Sequence, residues 1–453
     1  MKEIKILTPI GMLGYGFPEE DYLRGFEKDT DAVILDAGST DPGPYQLGLG
    51  QTISKPEAYI RDLTVILRGI GDRKIPLLIS SAGGAGSDVH VEIMINLIKS
   101  VCSKLGVHKK MVVVYADIDP KVVSERLAQG RISPCASAPD LTQQDIDKTV
   151  RIVAQMGAEP ILAALQQYPD ADIYLAGRAY DPSPYAAFCM FHGIQDPGIY
   201  WHMGKIMECG AACADPKGAV ILATVRQDSF DLEPLAKNER CTTVSVAAHT
   251  LYEKTRPDLL PGPGGVLDLN HAHYEQITDR AVRVRGSVFR ESPAYQIKLE
   301  GASIVGYRCI AIAGIRDPIL IGIIDKFLVM IRSYVSERYP DLKSGDAKLF
   351  FHLYGKNAVM GEQEPQKDFV PIEIGVLCEV TAKTQDLANA ICSMTRIALL
   401  HGPYPGQLAT AGNIALPLNP PDNPIGPVCK FSIYHLMEVN SPTEFFPIKY
   451  MEI

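Results

Sequence analysis

Asp, Arg and glycine residues stand just beyond five short aliphatic runs, at 4–7, 32–35, 76–79, 111–115 and 173–175. The second run leads into Gly38-Ser39-Thr40-Asp41-Pro42-Gly43-Pro44 and the third into Ser80-Ser81-Ala82-Gly83-Gly84-Ala85-Gly86-Ser87-Asp88. The fourth leads to Asp117 and Asp119, and the fifth to Gly177-Arg178-Ala179-Tyr180-Asp181-Pro182. Proline and glycine around Asp41 fix the backbone and aim its carboxylate, which suits a general base; an Asx-type turn former is the plainer role. Asp117 and Glu208 are the other carboxylates placed for proton transfer. Glycines 83, 84 and 86 let the backbone approach a ligand, and a helix starting at Ser87 or Asp88 would turn free N–H groups toward an anion. Asp88 by itself reads equally well as an N-cap. Arg178 is the natural bidentate partner of a carboxylate or phosphate, although it can also pair with Asp181. The expected catalytic set is Asp41, Asp117 and Glu208. The expected substrate-binding set is Ser39, Thr40, Ser81, Gly83, Gly84, Arg178 and Asp181.

Several familiar chemistries are excluded. Gly11, Gly14 and Gly16 lack the G-x-G-x-x-G spacing, and no Walker A lysine, H-E-x-x-H, EF-hand loop, kinase signature or serine-nucleophile elbow is present. Cys209-x-x-x-Cys213 lacks the companion spacing of a zinc site and reads as free thiols. His271-Ala-His273 would put two imidazoles on one strand face, but no carboxylate motif accompanies them. No metal ligands are assigned. The cofactor is left open, and a divalent ion has no strong motif behind it.

The elements that must position these residues alternate between strand and helix. Helical spacing joins Ile60, Leu63, Leu67 and Ile70, then Val91, Met94, Ile98, Val101 and Leu105. A helix is predicted over 143–167, opened by Asp140 or Thr142, and others over 185–191, 200–213 and 242–254, with a strand at 219–225 and a loop at 257–265. Such alternation predicts an α/β fold, a doubly wound, mainly parallel sheet of Rossmann or flavodoxin type. Beyond 280 the texture changes. Strands at 281–289, 295–299 and 307–313 suggest antiparallel pairing, followed by a helix at 318–339, strands at 349–353 and 372–380, and a helix at 387–400. The expected domains are therefore 1–280, α/β with the polar strand-end loops, and 281–453, a smaller α+β domain.

Composition narrows the function. With 44 Lys and Arg against 53 Asp and Glu the net charge is −9, which does not suit nucleic acid. The longest apolar runs, at 219–225 and 319–324, are far below the ~20 residues of a membrane span. The start Met1-Lys2-Glu3-Ile4 shows no signal-peptide core. Scattered cysteines in apolar segments point to reduced thiols and a cytoplasmic protein.

Ser81-Ala82-Gly83-Gly84, Gly177-Arg178-x-x-Asp181, Glu208-Cys209-Gly210-Ala211 and the stretch from Gly286 to Gly306-Tyr307-Arg308 resemble the bacterial acyclic terpene utilisation (AtuA-like) family over roughly residues 1–435. Asp41-Pro42-Gly43-Pro44 and His435-Leu436 mark a subgroup distinct from the terpene-pathway members. The resemblance implies breakdown of branched acids as acyl-CoA thioesters, with a lyase or hydratase role, and a small second protein as a partner. No catalytic residues carry over from it. The combined expectation is a lyase, a hydratase or carbon–carbon lyase, acting on a small acid or its CoA thioester by proton abstraction. Asp41 would be the base, Arg178 would hold a carboxylate, and the amides of residues 83–86 would bind an oxyanion or phosphate. An isomerase or racemase, or a non-catalytic ligand-binding subunit needing a small partner, are the alternatives. The partners expected are an anionic small molecule and further copies of the chain, a homo-oligomer.

Titration of the denatured, unreduced protein should find all ten cysteines as thiols. Two or more missing would overturn the reduced state.

Overall fold

Apolar runs without polar alternation are stable only when buried on both faces, as in a parallel sheet covered by helices. The computed structural model describes residues 3–251, 256–408 and 411–453. It divides into two compact units, Met1–Ser303 with Phe431–Ile453, and Ile304–Lys430.

The first unit opens with β1 (Ile4–Thr8), α1 (Glu19–Gly25), β2 (Ala32–Asp36), α2 (Tyr45–Leu49), α3 (Pro56–Ile70), β3 (Leu77–Ser80), α4 (Asp88–Leu105) and β4 (Lys110–Val114). There follow α5 (Pro120–Ala128), β5 (Ile132–Pro134), α6 (Gln143–Lys148), β6 (Arg151–Gln155), α7 (Ala158–Gln167), β7 (Ile173–Ala176), α8 (Ser183–Phe191) and α9 (Pro197–Met207). Next are β8 (Ile221–Val225), β9 (Phe230–Pro234), α10 (Thr243–Thr250), β10 (Leu259–Gly262), β11 (Gly265–Asp268), β12 (His273–Gln276), β13 (Val282–Arg285) and β14 (Val288–Glu291). Residues 252–255 of the helix expected over 242–254 lie outside the described residues.

The large sheet has the order β12-β13-β9-β8-β1-β2-β3-β7-β4-β19, where β19 is Ile448–Glu452. The five expected strands are its centre, parallel throughout. β8, β9, β12, β13 and β19 pair antiparallel at its flanks, so the sheet is mixed. Alternate residues enter two cores: Val33 and Leu35 pack with α1, α3 and α4, whereas Ala32 and Ile34 pack with α7, α8 and α9. Parallel crossovers are right-handed, so a change of face goes with a reversal of direction. With α1, α3 and α4 on one face the chain steps outward from β1 to β4; with α7 on the other it returns to set β7 between β3 and β4. The neighbours β3 and β7 therefore send their next helices, α4 and α8, to opposite faces. The loops that follow β3 and β7 lie side by side at the carboxyl edge of the sheet, the edge where open α/β sheets bind ligands.

Several expectations change here. Residues 151–155 are not helical but form β6, which pairs with residues 298–302 of β15 (Gln296–Ile315). The helix over 143–167 is thus split into α6 and α7. The strand over 281–289 is two strands in two sheets, parted at Gly286, which has φ 84° and where a Cβ would stand 2.3 Å from the His271 carbonyl. The stretch 257–265 is not a plain loop but runs into a hairpin over 259–268, β10 with β11, which joins β14 in a three-stranded antiparallel sheet. The sequence set the domain boundary at 280/281; the compact units part at 303/304, and residues 431–453 return to the first.

In the second unit the later part of β15 pairs antiparallel with β17 (Ile374–Ala382), which pairs with β16 (Lys348–Tyr354). α11 (Pro318–Gly322), α12 (Ile324–Arg338), α13 (Asp341–Ser344) and α14 (Gln385–His401) accompany them, with α12 and α14 buried on the sheet. The expected helix over 318–339 breaks at Ile323 into α11 and α12. The strand β18 (Asp422–Glu438) ends in the first unit, pairing with β5. Among the described residues no helix is long and apolar enough to cross a membrane.

Ile98, fully buried on α4, should on change to Ala destabilise the protein by about 2–5 kcal/mol in urea unfolding. Lys99→Ala, its exposed neighbour, should change stability by less than about 0.5 kcal/mol. Equal effects would contradict the two-sided burial of the sheet.

Candidate functional site

Ser81, the first residue beyond β3, has φ 48°, a left-handed conformation that costs a residue with a side chain on the order of 1–3 kcal/mol. Neighbouring loops hold it there. The Ser81 amide donates to the Gly177 carbonyl at 3.0 Å, Ala82 to Ala176 at 3.1 Å and Arg178 to Gly86 at 2.9 Å. The loop after β2 presses on the same place: a Cβ on Gly38 would stand 2.0 Å from Gly84 Cα. The loops after β2, β3 and β7 are therefore in mutual contact.

Arg178 runs into this contact and is 2% exposed. Its Nε donates to Glu300 Oε2 at 2.8 Å, and its Nη2 lies 3.3 Å from Glu300 Oε1 and 3.4 Å from Thr40 Oγ1. Nη1 donates to the Ala179 carbonyl at 3.2 Å, with Ser81 Oγ at 3.4 Å and Asp181 Oδ1 at 3.5 Å. Glu300 comes from β15 and has no exposed surface. Thr40 Oγ1 donates to it at 3.0 Å, and Lys298 Nζ lies 2.7 Å from Oε1 and 4.8 Å from the Tyr434 ring centre. Burial alone would raise the Glu300 pKa, but Arg178 and Lys298 outweigh it and hold it at about 2.

The nearby acids go the other way. Asp36 ends β2 and is buried; its Oδ1 accepts from the Ala37 amide at 2.9 Å and Ser80 Oγ at 3.0 Å. Burial pushes its pKa well up, Asp181 and Glu208 add to this, and Arg178 opposes it. Asp181 is also raised, by burial and by Asp41, against Arg178, Lys205 and Lys298. Glu208 pairs with Lys205 at 2.5 Å. A separate pair joins β4 to α4: the Asp88 amide donates to Asp117 Oδ1 at 3.0 Å, and the Asp117 amide to Asp88 Oδ1 at 3.3 Å. Burial, then Asp88, pushes Asp117 up to about 7.

Arg178, Asp181, Thr40 and Ser81 are thus brought together. Ser39 caps the same turn, its Oγ accepting from the Asp41 amide at 3.1 Å. Asp41 itself is exposed at the mouth and acts on Asp181 through space. Asp117 pairs with Asp88 in a cluster of its own, whereas Glu208 pairs with Lys205 and the two act through space on Asp36 and Asp181. Gly83 and Gly84 are buried, and the Gly84 and Gly86 amides already donate to Ser81 and Ala82. The early loop of Gly14 and Gly16 is closed by the protein's own Asp62, whose Oδ2 accepts both amides at 2.7 and 3.0 Å. Residues 271 and 273 are exposed, and among the described residues no three His, Cys, Asp or Glu side chains gather as metal ligands. A cleft of about 640 Å³ includes Cys209, the neighbour of Glu208. Another of about 510 Å³, beside Lys74 and Lys110, opens at the amino edge of β3, β4 and β7, the wrong end for a ligand of this sheet.

Residues 56–415 match the family described as acyclic terpene utilisation family protein AtuA. The chain belongs to the AtuA family. No curated protein and no solved structure gives a match to it. The AtuA match takes in Asp117, Arg178, Glu208 and Glu300 and begins beyond Asp36, Thr40 and Asp41.

Sequence reasoning missed Glu300, Lys298 and Asp36. The available signals were Lys298-Leu-Glu300, two charges on one face of an apolar strand, and Asp36, an acid closing a run of four apolar residues.

Removing Arg178 strands a buried carboxylate. Arg178→Met should destabilise this AtuA-family protein by about 3–5 kcal/mol, and adding Glu300→Leu should restore much of the loss. Equal, additive losses would refute the pairing.

Proposed function

We propose that the protein is a lyase, a hydratase or carbon–carbon lyase, that takes a proton from the carbon next to the carboxylate or thioester of a small acid or its CoA ester. The observation that carries this reading is the divergence of carboxyl groups at one sheet edge. Glu300 is held ionised at about 2, Asp117 is pushed up to about 7, and Asp36 and Asp181 are raised. Chemistry that removes one proton and returns another needs such a split, with one group accepting near neutral pH and another already protonated.

In this reading Asp117 is the base, with Asp41 and Glu208 as the other candidates, and Asp36 holds the proton to be returned. Lys298 and Asp181, which solvent reaches, meet the substrate's carboxylate, while Arg178 behind them stabilises negative charge as an enolate forms. Ser39, Thr40, Ser81, Gly83 and Gly84 shape the loops around that place. The reading takes the parallel strands as a doubly wound, Rossmann-like ligand sheet with its switch point between β3 and β7. It takes the protein as a cytoplasmic homo-oligomer, joined by a small partner subunit where one is required. An isomerase or racemase would share the first step. A non-catalytic binding subunit is favoured by one observation, that Arg178 already spends its N–H groups on the protein's own acceptors.

Short acids and their CoA thioesters, incubated with the protein in D₂O, should gain deuterium at the α-carbon by mass spectrometry. The rate should rise as pH passes about 7, where Asp117 ionises, and fall at least about 100-fold in Asp117→Asn. No exchange across the panel, or full exchange in both Asp117→Asn and Asp41→Asn, would overturn the reading.

A further inference from the structure

We propose that the Arg178 cluster binds one carboxylate together with one proton, and that Asp181 takes that proton up. The inference rests on the reading of this edge as the end of the site that meets an anionic substrate. Its basis is a charge count. The cations are Arg178, Lys298 and Lys205. Lys205 is answered by Glu208 at 2.5 Å. Glu300, without exposed surface, lies between Arg178 and Lys298 at 2.8 and 2.7 Å and cancels one of them. One positive charge remains, and Asp181, 3.5 Å from Arg178 Nη1, cancels it. Asp36 has hydroxyl and amide donors but no cation of its own, so burial keeps it neutral.

Counted without Asp41, which is exposed and screened by water, the cluster is balanced with Asp181 ionised, and an arriving carboxylate finds no positive charge left. It can be held only if Asp181 gives up its own charge. Among the cluster's acids Asp181 is suited to this, with a side chain 23% exposed against 0% for Glu300. The groups that face it are Arg178, Lys205 and Lys298, which favour its ionised form, and Asp36 and Asp41, which with burial oppose it. Once protonated it becomes a donor, and an O–H···O⁻ bond to the ligand is among the stronger hydrogen bonds a protein makes. The proton comes from solvent and no covalent bond changes. A single exchangeable charge also fixes the ligand class: a monocarboxylate, or one carboxylate of a molecule otherwise neutral there.

The test is calorimetric titration of the full chain with butyrate in buffers of different ionisation enthalpy. Near pH 8 binding should take up about one proton, and affinity should fall about tenfold per pH unit above the Asp181 titration. Asp181→Asn should bind butyrate with no proton uptake, independently of pH, and about tenfold or more tighter at pH 8.5. Asp36→Asn should keep the uptake, with thermal melts confirming that both variants fold. Butyrate binding without proton uptake, persistent uptake in Asp181→Asn, or tighter binding of succinate than of butyrate would overturn the inference while leaving the site reading intact. No binding by either wild type or Asp181→Asn would overturn both.

Discussion

A carboxylate with no exposed surface must be answered by positive charge and hydrogen bonds, because its desolvation outweighs most single contacts. Glu300 sets that requirement. It is met by Arg178 from the loop after β7, by Thr40 from the loop after β2 and by Lys298 from its own strand. Three parts of the chain more than a hundred residues apart are thereby tied to one functional group. A slip of β15 by one position would turn Glu300 to the other side of the strand and take it from Arg178 and Thr40. The register of β15 against β6 and the electrostatics of the sheet edge are consequently one constraint.

The backbone at this edge shows the same dependence. Ser81 is held left-handed by amides of the neighbouring strand-end loop, and Gly38 and Gly84 meet at a distance that no side chain would permit. Such packing leaves little freedom for the loops to rearrange. The acids packed among them are divided in charge, with Glu300 driven down and Asp36, Asp181 and Asp117 driven up.

The parallel centre of the sheet was legible because its signal is local: five apolar runs, each bounded by glycine or polar residues. β6 was not. Arg151-Ile-Val-Ala-Gln155 sits between two helical patterns, and only pairing with residues 298–302, far away in sequence, makes it a strand. The hairpin over 259–268 was hidden for a related reason, since its proline and glycine residues read as a loop until the pairing with β14 is known. At the site, residue types that follow strands could be read directly, which brought out Arg178, Asp181, Thr40 and Ser81. Glu300 and Lys298 escaped because their importance comes from depth, and a charged residue in a strand ordinarily faces water. Asp41 was read as a carboxylate held in a set direction by its proline–glycine turn, and that turn leaves it exposed.

β19 pairs with β4 along five residues, 448–452 against 110–114, at the end of the large sheet. During synthesis the β4 edge therefore stays open while more than three hundred further residues emerge from the ribosome. At about 5–20 residues per second this is an interval of roughly 15–70 seconds. An unpaired, apolar edge strand is a template for other chains throughout that time.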